Sequence, residues 1–292
     1  MPVSAHVPAA RTDGGRRGGR PPLAALPARD RAVVLAVARL RVLAYDQLRT
    51  LLFPDRHPSI VTRRVHALVR AGFVRRIRPR VDRGGAPSYV VPTAAGLAEA
   101  LAMLRAETRE TPAGAIVERM VPRFPRVPRT LATTAPLAHL REVNALLIAF
   151  AGRLSVDVRW MSSWERPFGR SAGAALLPQP DYVLVLDRAG STILVLGEHD
   201  RGSESLAHFR ATKADRYAPF AVLPELAAEA FGIATVELWL TVTDPLARQP
   251  RRRLRRLTDL VLAAGAGPIT KVALAGAAAA DPVTAWVAAT DL

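Results

Sequence analysis

The sequence contains no cysteine. That removes disulfides, zinc fingers and thiol nucleophiles, and it makes an intracellular address the natural expectation. Any metal would have to be held by carboxylates and histidines. No uninterrupted apolar run reaches the length of about 18 residues that a membrane span needs. The first 20 residues, MPVSAHVPAARTDGGRRGGR, lack the apolar stretch of a secretory signal. Their Gly and Pro content favours a disordered basic tail over an organellar transit peptide, so a cytoplasmic protein with no membrane partner is expected. Also missing are a Walker lysine motif, a glycine-rich dinucleotide fingerprint and a Gly-x-Ser-x-Gly elbow, which leaves nucleotide hydrolysis and acyl transfer without support. Lysine is nearly absent: of 41 basic residues 39 are arginine, and only Lys213 and Lys271 are lysine.

What is present is length, apolar content and unevenly placed charge. At 292 residues, half of them apolar, the chain can bury a core in each of two domains. Residues 1–130 hold 24 arginines against 9 acids, a net +15, whereas residues 131–292 hold 17 basic residues against 16 acids, a net +1. Charge concentrated in one half is the electrostatic footprint of a polyanion binder, because neutralising phosphates releases counterions and drives association. An anionic membrane would call for a basic amphipathic helix with bulky apolar anchors, and none is found.

Residues 1–28 carry no periodicity and predict an unstructured basic tail. From residue 30 the apolar spacing changes to that of helices, predicted over 30–41, 45–52 and 59–71. Ser59 is the expected cap of the third helix and Gly72 its terminator. Val61, Val65, Leu68 and Val69 form the inward face of that third helix. Its other side carries Ser59, Thr62, Arg63, His66 and Arg70, with Arg64 on the flank, all residue types that contact phosphates and base edges from a helix in the major groove. Two strands follow, at 73–78 and 88–91, joined by a Gly-Gly tip at 82–85. This hairpin is loaded with Arg75, Arg76, Arg78, Arg80 and Arg83. A helix over 93–104 closes the unit. The order Leu68, Gly72, Phe73, Val74, Tyr89, Thr93 and Gly96 resembles that of many winged helix DNA-binding domains.

Residues 106–135, rich in Pro, Thr and Arg, predict a linker. The remainder, 136–292, reads as an α/β domain with a small sheet: helices over 137–150, 206–220 and 251–264, and strands over 156–160, 181–186, 192–196, 235–242 and 270–274. The expected division is therefore a tail (1–28), a winged helix domain (29–105), a linker (106–135) and an α/β domain (136–292).

In that second domain Asp181 starts one strand, while Glu198 and Asp200 follow the end of the next, where a hairpin brings the two ends together. Three carboxylates converging at a sheet edge can hold Mg²⁺ or Mn²⁺ for phosphodiester hydrolysis. The competing view is that strand-end carboxylates sit in solvated turns, as Asp187 does. Lys213 and Tyr217, four residues apart, share a helix face that can approach the site. His139 and Asn144 read as structural hydrogen-bonders, and the run 251–256, with five arginines, as a solvated face or a phosphate grip.

The run Pro180-Asp181, a second strand, Glu198-x-Asp200-Arg-Gly-x-Glu-Ser and Lys213-x-x-x-Tyr217 resembles the replication-relaxation family of actinobacterial proteins, over most of residues 30–220. The resemblance implies a role in plasmid replication, relaxation or mobilisation, and a second domain similar to PD-(D/E)xK nuclease folds. It further implies metal ligation by Asp181 and Glu198, with Glu142 as a possible extra ligand. A nuclease of that type carries lysine two residues after the glutamate, and here the position is Asp200. Either Lys213 substitutes from the helix, making Asp181, Glu198 and Lys213 the catalytic set, or the domain only binds or dimerises. Three readings follow: a double-stranded DNA-binding protein of plasmid or mobile-element replication, relaxation or transfer, working alone, as a homodimer or with a replication or relaxase partner; a metal-dependent nuclease or nickase; and a winged helix repressor with a dimerisation domain.

Overall fold

The amphipathic runs of the first third fold as three helices in the computed structural model, α1 (Ala28–Leu40), α2 (Tyr45–Leu52) and α3 (Pro58–Arg70). The structure describes residues 21–79, 87–120, 134–154, 158–163, 178–188, 190–223, 225–243 and 249–292. Val61, Val65 and Leu68 of α3 are buried, each stabilising the fold by about 1.5–3 kcal/mol. The helix starts one residue earlier than expected, because Pro58 with its fixed φ suits the first position. The cap is His57, whose Nδ1 accepts from the Ser59 N–H at 3.3 Å, and not Ser59. Gly72, at φ 77°, ends the helix in the left-handed conformation.

A three-stranded antiparallel sheet follows: β1 (Leu43–Ala44), β2 (Val74–Ile77) and β3 (Tyr89–Pro92), in the order β1-β3-β2. The Gly-Gly tip expected at 82–85 lies outside the described residues, as do Arg80 and Arg83. Helix α4 (Ala94–Thr108) is capped by Thr93, whose hydroxyl accepts from the Gly96 N–H at 2.9 Å and lies 2.6 Å from the Gly72 carbonyl. A Cβ on Gly96 would stand 1.9 Å from the Phe73 carbonyl oxygen. Thr93-x-x-Gly96 is therefore the joint that presses α4 onto the start of the hairpin.

Two expectations of irregular chain are corrected. Leu23 is buried and its N–H donates to Glu99 at 2.6 Å, so order begins inside the expected tail. The expected linker holds α5 (Ala113–Met120), which buries Ala113, Ile116 and Val117 at helical spacing; residues 121–133 lie outside the described residues.

The second half is built on α6 (Thr134–Arg153) and a mixed six-stranded sheet: β4 (Val158–Ser163), β5 (Tyr182–Arg188), β6 (Ser191–Asp200), β7 (Thr235–Val242), β8 (Thr270–Leu274) and β9 (Val287–Ala288), paired in that order. The β4/β5, β5/β6 and β8/β9 pairs are antiparallel, and β6/β7 and β7/β8 parallel. The crossover from β6 to β7 runs through α7 (Leu206–Phe209), a π-helical turn (Arg210–Ala214), α8 (Asp215–Val222) and α9 (Glu225–Phe231), and that from β7 to β8 through α10 (Pro250–Ala263). Helix α10 packs against α7, β7 and β8, while α6 pairs with α11 (Ala275–Ala280) and β4. The described residues thus form a mixed α and β structure with two sheets.

Helix α6 also joins the halves. Asn144 Nδ2 donates to the carbonyls of Leu40 (3.0 Å) and Val42 (2.5 Å), and Gln47 Nε2 donates to the Arg141 carbonyl at 2.8 Å. Val42, Ala44, Tyr89 and Val91 pack with Leu137 and Leu140 in one buried cluster. The Arg39 guanidinium lies 4.5 Å from the Trp160 ring centre.

Candidate functional site

Two surfaces carry the residues singled out above. On α3, periodicity turns Ser59, Arg63, His66 and Arg70 outward, and together with the half-buried Thr62 and Val69 they line one shallow concave strip. Arg64 leaves the strip: its guanidinium pairs with Asp30 of α1 at 3.3 Å. Arg75 and Arg76 on β2 and Arg78 just after it are exposed.

The second surface lies where β5 begins and β6 ends. Asp181 N donates to the Gly197 carbonyl at 2.8 Å, which sets Asp181 beside the end of β6. Strand alternation directs Glu198 and Asp200 to one face and His199 to the other. On the first face Glu198, 1% exposed, receives the Lys213 ammonium at one oxygen and the Tyr217 hydroxyl at the other, at 2.5 Å for the hydroxyl. Lys213 Nζ stands 3.7 Å from Asp181 as well. Lys213 and Tyr217 belong to successive turns, and the wider π-helical turn that carries Lys213 is a departure from α geometry of the kind found at functional sites.

Asp200 does not join this group. Its carboxylate is gripped by Arg253 of α10, Nε to Oδ2 at 2.7 Å and a terminal nitrogen to Oδ1 at 3.1 Å, a bidentate pair that spends both oxygens. The expected convergence of three carboxylates therefore reduces to Asp181 and Glu198.

On the opposite face His139 Nε2 lies 3.2 Å from Asp181 Oδ1, and Asp181 Oδ2 accepts the His199 N–H at 2.8 Å. The His199 ring lies between Thr241 and Glu142, with Nδ1 3.1 Å from the hydroxyl and Nε2 3.1 Å from Glu142 Oε2. Arg201 Nε donates to the other Glu142 oxygen at 3.1 Å. Glu142, the extra ligand implied by the family, is thus held by His199 and Arg201. His139, read in the sequence as a structural hydrogen-bonder, touches Asp181 directly.

Electrostatics divides the two central carboxyls. Burial opposes the charge of Asp181, but the Lys213 ammonium, His139 and the His199 N–H outweigh it and hold Asp181 well below the usual carboxylate range. Burial wins at Glu198: it pushes the carboxyl up to about 8, with the Asp181 charge helping and Lys213 opposing. Lys213 is deprived of water, yet the two carboxyls raise its affinity for the proton.

As donors for a divalent ion these residues do not fit. Every carboxylate oxygen of Asp181, Glu198 and Asp200 already accepts a hydrogen bond or an ion pair, and the Lys213 ammonium already faces both Asp181 and Glu198. Among the described residues no group of three or more His, Asp or Glu is arranged to hold a metal. None of their helices is long and apolar enough to cross a membrane.

Comparison with known proteins agrees with the sequence resemblance. The model of a family described as replication-relaxation matches residues 35–236. No curated protein matches the chain. Two solved structures do: the restriction endonuclease FokI, at 13% identity and a TM-score of 0.31, and FokI bound to DNA, at 11% and 0.29. Each match covers 86% of this chain but 43% of the FokI chain. Similarity at that level carries no argument about activity.

Proposed function

This chain belongs to the replication-relaxation family, and we propose that it is a double-stranded DNA-binding protein whose first third is a winged helix-turn-helix module. The observation that carries the reading is the exposed strip of α3, with Ser59, Arg63, His66 and Arg70 on one face, in the half of the chain whose net charge is +15. Helix α3 enters the major groove, and the hairpin arginines Arg75, Arg76 and Arg78 follow the backbone or the minor groove. In this reading β2 and β3 form the wing, and the protein serves plasmid or mobile-element replication, relaxation or transfer.

The second domain, in this proposal, is a PD-(D/E)xK-like fold that has kept the carboxylates and lost the hydrolytic site. Lys213 supplies a lysine from the helix, as an active member would need. It is spent, however, on contacts with Asp181 and Glu198, and Asp200 is spent on Arg253.

The test is duplex binding by wild type and by Arg63→Ala/Arg70→Ala across a series of salt concentrations. Each lost phosphate contact lowers the slope of log affinity against log salt by about 0.9. A double variant that binds with lower affinity and a shallower slope supports the docking; unchanged affinity and slope would remove α3 from the interface.

A further inference from the structure

The arginines of 251–256 have no role in that reading. Helix α10 buries Leu254, Leu257, Thr258 and Val261. The remaining periodicity throws Arg252, Arg255 and Arg256 outward, with Arg251 exposed in the first turn. Arg253 is turned the other way, onto Asp200, and it also donates to the Glu204 carbonyl at 2.6 Å. Asp200 ends β6 two residues beyond Glu198, so this clamp fixes the start of α10 at the same end of the sheet as Asp181, Glu198 and Lys213.

The four outward arginines lack the counter-charges that a solvated charge run ordinarily mixes in. Among the described residues no carboxylate pairs with Arg251, Arg252, Arg255 or Arg256; Arg252 reaches only the Gln249 side chain, at 3.4 Å. Asp259 lies a turn further along the exposed side. Two successive turns of like charge repel one another unless an anion lies along them, and the positive end of the helix dipole adds to their field. Four exposed guanidiniums on two successive turns offer several anion contacts at once, which suits a chain of phosphates better than a single small anion.

We propose that this face of α10 is a second contact for the phosphate backbone of duplex DNA, separate from α3 and set beside the Asp181–Glu198–Lys213 cluster. It rests on the DNA-binding reading above. Arg253 and Asp200 are the anchor that orients the face, and neither touches the DNA.

The experiment uses the full chain and a long mixed-sequence duplex, titrated over a salt series, with wild type, Arg252→Ala/Arg255→Ala/Arg256→Ala and Arg63→Ala/Arg70→Ala. The triple variant is expected to keep the wild-type melting temperature, since the three side chains are exposed. Its salt slope should be shallower by about two to three, one contact for each arginine removed, with affinity at moderate salt lower by at least tenfold. If the triple variant keeps the wild-type slope while the α3 variant loses affinity, this proposal falls and the DNA-binding reading stands. If wild type does not bind duplex DNA, both fall. Capture by anionic vesicles that the triple variant alone loses, with DNA binding intact, would also overturn it in favour of a membrane surface.

Discussion

The Lys213 ammonium touches Glu198 and stands 3.7 Å from Asp181, so one cation serves two carboxyls from neighbouring strands. The lysine is one of only two in the chain, and its compact ammonium on a flexible stem fits a gap that a planar guanidinium would fill differently. Removing it leaves the charged Asp181 carboxylate without the ammonium that faces it. Lys213→Met is expected to destabilise the fold by about 3–5 kcal/mol. Asp181→Asn in the same chain should recover part of that loss. Denaturant unfolding of the two single variants and the double variant measures the coupling, and strict additivity would show that the pair does not interact.

The same cluster makes stability depend on pH in two windows of opposite sign. Glu198 is raised from 4.5 to about 8, so its contribution is fully present below about pH 4.5, declines as the unfolded chain ionises first, and is lost by about pH 8. Asp181 is held below its ordinary 3.8, so its contribution is present above that value and lost as pH falls further. Urea unfolding of wild type between pH 5 and 9 should show falling stability that Glu198→Gln flattens. Parallel curves for the two proteins would mean that Glu198 is ionised throughout.

Gly197 pairs with Tyr182 across β5 and β6, and a Cβ there would lie 2.0 Å from the tyrosine ring. Both residues are walled in, so Gly197→Ala must shift β5 or the ring, at a cost of about 1–3 kcal/mol. A thermal melt reads this directly, and an unchanged midpoint would show that the sheet yields freely at this point.

Asn144 holds the Leu40 and Val42 carbonyls from the far half of the chain. Asn144→Ala takes the amide donor from the Val42 carbonyl, while the Leu40 carbonyl keeps the Val42 N–H at 2.7 Å, so the loss is about 1–3 kcal/mol. Hydrogen exchange should then show α1 and β1 opening more often, whereas equal protection in both proteins would show that water replaces the amide.

Most of the first third was legible because its signals are local. The i, i+4, i+7 spacing of Val61, Val65 and Leu68 marks α3, and Gly72 marks its end. The Thr93-x-x-Gly96 pattern marks the start of α4, since the cap bond between the two residues lies within one turn of the chain. What escaped was either too short to have a period or was decided by distant partners. The two residues of β1 show no alternation, and α5 lies in a segment whose Pro and Thr content hides an eight-residue helix. His57 displaced Ser59 as the cap because Pro58 claims the first helical position. The candidate site divides in the same way. Asp181, Glu198, Lys213 and Tyr217 were visible as motif spacing, but the fate of Asp200 depended on Arg253, 53 residues away. Asn144 read as a structural residue, yet nothing near it in sequence names the two carbonyls it serves.

The central claim is that the protein binds duplex DNA and does not cut it. Supercoiled plasmid incubated with the full chain in EDTA, in Mg²⁺ and in Mn²⁺, with Asp181→Ala alongside, tests both parts on one gel. The account predicts retardation in all three conditions, equal for wild type and Asp181→Ala, with the plasmid recovered supercoiled after the protein is removed. Nicked or linear plasmid that requires a divalent metal and disappears with Asp181→Ala would contradict it and make the second domain a nuclease.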